Sequence, residues 1–129
     1  QHTVSNGSTG LDALTVQEQV WTGGHVMPRN GILKLWQGWA TCSGTGGGAG
    51  TCTIMIMKVS PANAADGTKT PVELDTITFT SDGNDTSFGI SETAFEEESV
   101  TAGDVIIAAI KTENTGQGVY FNTTLEVEF

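Results

Sequence analysis

The sequence predicts an all-β fold, a single antiparallel β-sandwich of about eight strands. The clearest element is the C-terminal stretch. Val119, Phe121, Leu125, Val127 and Phe129 fall on one parity, and Tyr120, Asn122, Thr124, Glu126 and Glu128 fall on the other. Successive strand side chains point to opposite faces, so this pattern buries one face and wets the other. It runs to Phe129, which predicts a place in the middle of a sheet. Composition agrees: 17 Gly and 37% apolar residues suit short strands joined by turns. Gly, Asn and Asp clusters recur at the spacing of a sandwich.

The elements follow in order. Residues 1–10 (QHTVSNGSTG) are polar and without periodicity, and residues 1–16 read as an anchoring arm ahead of a sandwich domain at 17–129. Leu11, Leu14, Val16, Val20 and Trp21 suit a first strand or a short helical turn; with no helix cap in view, Thr15–Thr22 is read as strand. Gly23-Gly24 breaks it. His25–Met27 reads as a short strand turning at Pro28 and Asn30-Gly31, where positive φ is expected. Two strong strands come next, 32–41 and 53–59, and each is apolar on both parities. Leu33, Leu35 and Trp39 oppose Ile32, Trp36 and Ala40, while Met55, Met57 and Val59 oppose Ile54 and Ile56. One face of each can meet the core, so the other predicts contact with a second subunit. Trp36, Ile54, Ile56 and Tyr120 are the candidate interface residues.

Residues 61–71 form a loop around Asp66-Gly67, strands follow at 72–80 and 86–91, and Ser81-Asp82-Gly83-Asn84-Asp85 turns between them. Residues 91–99 make an acidic loop anchored by Phe95. Residues 105–111 read as a buried strand, and TENTGQG at 112–118 reads as a hairpin loop into the last one.

At 129 residues the chain is one domain with room for one core. Its net charge of −10 excludes nucleic acid and anionic membrane surfaces as partners, since both demand a basic face. No apolar run approaches the ~20 residues of a membrane span. The start at Gln1, with no signal-peptide pattern, reads as a processed or trimmed product.

Cys42 and Cys52 are the sharpest chemical feature. They bracket a Gly-rich loop at the mouths of the two strong strands, which predicts a cross-strand disulfide worth about 3 kcal/mol and an oxidising location. Zinc would need further ligands that His2 and His25 are not spaced to supply, and no nucleophile elbow exists, so the reading is no metal, no cofactor and no catalytic residue. Asp82, Asn84 and Asp85 could hold Ca²⁺ but read first as a turn. Sequons occur at Asn6, Asn84 and Asn122, but a Thr-rich chain produces some by chance and Asn122 lies within a strand, while the acidic run Glu96-Glu97-Glu98 reads as a solvated loop. Trp21, Trp36 and Trp39 suggest a sugar-stacking platform, yet Trp36 and Trp39 fall on opposite faces, which favours packing.

VMPRNGILKLWQGWAT, VTAGDVIIAAIK and GVYFNTTLEVEF together resemble the small trimeric jelly-roll (C1q/TNF-like) virion proteins of tailed bacteriophages, over residues 20–129. Val100, Gly103, Asp104 and Ile106 match the turn of that class, and Phe121, Leu125 and Val127 its closing strand at the trimer axis. The resemblance implies a jelly-roll-like sandwich, a homotrimer, and a non-enzymatic capsid decoration or cement protein on the virion surface that binds the major capsid protein. The alternatives are a receptor- or carbohydrate-binding fibre tip and an extracellular, glycosylated filament subunit assembling through its N-terminal strand.

Overall fold

A computed structural model describes residues 24–43, 49–60, 71–82, 86–113 and 118–129. The expected arm at 1–16, the strand at 15–22, most of the cysteine-bracketed loop, the 61–70 loop, and Asn6, Asn84 and Asp85 lie outside them. Among the described residues there is no helix. Eight strands appear: β1 (His25–Val26), β2 (Gly31–Ser43), β3 (Gly50–Val59), β4 (Val72–Ser81), β5 (Thr86–Glu92), β6 (Ser99–Val100), β7 (Val105–Thr112) and β8 (Gly118–Glu128).

They form the expected β-sandwich. One sheet runs β1-β7-β3-β4; the other centres on β2, with β8 along one side and β5 and then β6 along the other. Every pairing is antiparallel. Among described strands consecutive in the chain, only β3 and β4 pair; the other links pass between sheets or skip a neighbour. The 112–118 connection is therefore a crossover between sheets, not the expected hairpin. β8 is likewise not central: it pairs only with β2 among the described strands, and β2 takes the middle.

The core lies between the sheets. Leu33, Trp36, Ala40 and Cys42 of β2 meet Cys52, Ile54 and Ile56 of β3, with Leu74, Ile77 and Phe79 of β4. Phe79 and Phe88 stack across the layers at 4.5 Å. A bulge between Leu33 and Leu35 shifts the register of β2 against β8. This is why Leu33 joins Trp36 inside, although their sequence parity places them on opposite faces.

Two turns lock one end of the sandwich. Asp104 N–H donates to Thr101 O at 2.9 Å, Gly103 sits between them at φ 89°, and Asp104 Oδ2 accepts from Thr101 N at 2.8 Å. Positive φ at the third turn position suits glycine. The Asn30 side chain accepts from Ala102 N at 2.8 Å, tying the Asn-Gly turn to this one. Gly31 itself is not in a positive-φ conformation, contrary to expectation. It is needed for proximity, because a Cβ there would lie 2.7 Å from Val127 Cγ1 and 2.8 Å from Glu128 O.

Candidate functional site

The three strands β5, β2 and β8 present one continuous outer face. Beyond the bulge, Gln37, Trp39 and Thr41 of β2 point away from the core, opposite in phase to buried Trp36, Ala40 and Cys42. Trp39 pairs with Gly89 of β5 on one side and Asn122 of β8 on the other. Thr41 pairs with Ser87 and Tyr120, its hydroxyl 3.2 Å from that of Ser87. Trp39 is 66% exposed and Tyr120 55%. The two are diagonal neighbours on adjacent strands, a spacing that aromatic side chains can bridge.

Gly89 opens the space beside the indole: a Cβ placed there would meet nothing within 4 Å. Gln37, Trp39, Gly89, Ser91, Asn122 and Thr124 line a shallow depression of about 560 Å³. The patch formed by these six with Thr41, Ser87 and Tyr120 carries no charge, in a chain whose net charge is −10. An uncharged surface bearing an exposed Trp and Tyr has the composition of an interface core.

The expected interface residues fall differently. Trp36, Ile54 and Ile56 are 1%, 0% and 4% exposed and face the opposite sheet, so they are core residues that a second copy cannot touch. Tyr120 is exposed, and Trp39 is its diagonal neighbour on that face. Taking the Trp36 parity of β2 as the outer face misses Trp39; polar Gln37 and Thr41 on the parity of Trp39 are the signal that finds it, whereas the open space at Gly89 depends on which strand lies beside β2.

Cys42 and Cys52 sit in opposite sheets, not on paired strands. Their sulfurs approach through the core at 2.8 Å as two buried thiols, short of contact distance yet beyond a bond. Burial, then the neighbouring thiol, pushes Cys52 up to about 12, so its thiolate is costly to form.

At the other end, Asp75 is buried beside the bulge of β4 against β3. Its Oδ1 accepts from Thr76 N at 2.8 Å while Oδ2 is without a partner among the described residues. Desolvation raises its pKa, and Glu92, Glu96 and Glu73 add to the rise. Glu97, which is exposed to solvent, shifts down because the Ser99 hydroxyl and N–H both donate to it and Lys58 lies 3.9 Å away. Lys58 reaches across the sheets to Ser99 O at 2.6 Å. These groups brace the fold and do not converge on a cleft. Among the described residues no three His, Cys, Asp or Glu side chains come together as metal ligands. Asp82 instead accepts from Thr86 at 3.3 Å.

No protein family, curated protein or solved structure matches the chain.

Proposed function

We propose that the chain is a non-enzymatic virion structural protein, a capsid decoration protein that assembles as a homotrimer and binds the major capsid protein. The observation that carries this reading is the uncharged Trp39–Tyr120 face. Copies that each carry a charge of −10 repel one another unless they meet through a neutral patch, and here that patch also holds two exposed aromatics, Trp39 and Tyr120. It lies on the sheet that contains the closing strand, where the resemblance to trimeric phage modules puts the three-fold axis. The acidic loop at 92–98 and the outer ends of the sandwich then remain on the surface of the assembly. A buried Cys42–Cys52 bridge belongs to this proposal as a staple that forms once the virion reaches an oxidising medium.

A second reading rests on the same face. Trp39 and Tyr120 flanked by the Gln37 and Asn122 amides form a platform on which a sugar ring could stack, as a fibre tip would need. Binding to purified empty capsids of the virus that encodes the chain separates the two. The decoration reading expects uptake that saturates in multiples of three copies and a raised shell melting temperature. Protein that stays in the supernatant and instead quenches its Trp39 emission on added glycan overturns it.

A further inference from the structure

The region where β4 faces β5 changes chemistry along its length. Phe79 of β4 and Phe88 of β5 stack across the layers with ring centroids 4.5 Å apart, which fixes how the two strands face each other. Side chains alternate along a strand, so steps of two from that stack bring Ile77 opposite Ile90, both buried, and then Asp75 opposite Glu92. The pairing of Asp75 with Ile56, a core residue, also turns it inward. It is 8% exposed, and its Oδ2 has no partner among the described residues. A buried carboxylate oxygen that accepts no hydrogen bond is costly to keep ionised and is a natural seat for a proton.

Segment 93–98 continues from β5 and lies against this pair. The N–H groups of Glu96 and Glu97 both donate to Leu74 O, at 3.1 and 3.3 Å, and Phe95 packs on the core, so the segment is docked on β4 next to Asp75. The charges that act on Asp75 are all negative: Glu92 of β5, Glu96 of the docked segment and Glu73 of β4 itself. From β2 and β3 the neighbouring inward residues are uncharged, Trp36 beside Glu92 and Ile56 beside Asp75. Lys58, two residues beyond Ile56, is drawn off to Ser99 O at 2.6 Å and to Glu97 at 3.9 Å.

We propose that segment 93–98 is a pH-sensitive latch on β4, closed while the Asp75 carboxyl holds a proton and loosened when that group is ionised. Burial under the closed segment, then the charges of Glu92, Glu96 and Glu73, raise the pKa of Asp75. The closed latch therefore binds the proton more tightly than the open one. Closure is favoured below the carboxylate range and weakens as the pH rises through it. Glu97 works in the opposite sense. The Ser99 hydroxyl and N–H donate to it and favour its ionised form, so the Ser99 end of the segment stays anchored at neutral pH and serves as the hinge.

The test is amide hydrogen exchange on the full chain, read by NMR as protection factors at about pH 4 and about pH 7, on either side of a raised carboxylate pKa. The Glu96 and Glu97 amides report the latch, and amides bonded between β2 and β8 report global folding. In the wild type the protection of the Glu96 and Glu97 amides should fall about fivefold or more from the lower pH to the higher, with the β2–β8 amides unchanged. Asp75→Asn should keep both amides protected at both pH values. Latch protection that is the same at both pH values in the wild type, or a full fall that survives in Asp75→Asn, overturns the proposal. Should Asp75→Asn fail to fold, Glu92→Gln carries the test: removing the facing charge should shrink the fall, and a fall as large as the wild type's overturns the proposal.

Discussion

β2 and β3 lie back to back across the core, one in each sheet, and both carry large apolar side chains on both parities. In β3 both sets are buried. Ile54 and Ile56 enter the core between the sheets, and Met55, Met57 and Val59 form a second cluster with Val105, Ile107 and Ala109 of β7 on the outer side. In β2 the inner set is buried, but the outer set changes along the strand. Just after the bulge Leu35 is partly covered, and further along Trp39 stands 66% exposed amid polar neighbours. The same two-sided pattern thus has two physical outcomes: a strand buried on both faces, and a strand that leaves one aromatic exposed on its outer face.

The comparison can be broken by substitution. Trp36→Ala should have the largest effect, a loss of about 3–5 kcal/mol of unfolding free energy in denaturant titration, because a side chain 1% exposed leaves a large cavity. Met57→Ala probes the outer cluster of β3, where a residue 5% exposed should cost about 2–3 kcal/mol. A cost under about 0.5 kcal/mol would place Met57 on open surface and make β3 equivalent to β2. Gly38→Ala tests how closely β2 and β8 approach between their buried and exposed halves. Gly38 has φ 153°, and its Cβ would sit 2.2 Å from Asn122 O, so thermal unfolding should show a loss of about 1–3 kcal/mol.

The smallest effect is electrostatic and has a definite sign. Asp75 has its pKa raised in the folded state, so the native chain binds more protons than the unfolded one as the pH falls from neutral through the carboxylate range. Its ionisation therefore opposes folding above that range, and the penalty disappears below it. Asp75→Asn should raise the melting temperature at neutral pH, with the gain shrinking as the pH falls through the range. A gain that is the same at both pH values would show that burial of the charge is not its cause.

Much of this fold was legible because alternation and turn chemistry are local. The 105–111 and 119–129 patterns emerged as β7 and β8 within one residue at each end, and the 53–59 pattern as the latter part of β3. Pairing was less legible, because it depends on contacts distant in sequence. Nothing near Leu33 announces the bulge that brings it into phase with Trp36, and nothing near Cys42 tells that Cys52 belongs to the opposite sheet. β6, two residues long, is a strand only because Ile32 and Gly31 lie beside Ser99 and Val100. At the candidate site, the exposure of Tyr120 followed from its parity, whereas its proximity to Trp39 required knowing that β8 adjoins β2.

The central claim is that the Trp39–Tyr120 face is where copies of this chain meet. A native mass spectrum of the wild type beside Trp39→Asp tests it most directly, since this exposed position should shift chain stability by no more than about 0.5 kcal/mol. The account predicts an assembly of three 13.5 kDa chains for the wild type and single chains for the variant. Single 13.5 kDa chains for both, or an undiminished trimer in the variant, would contradict it.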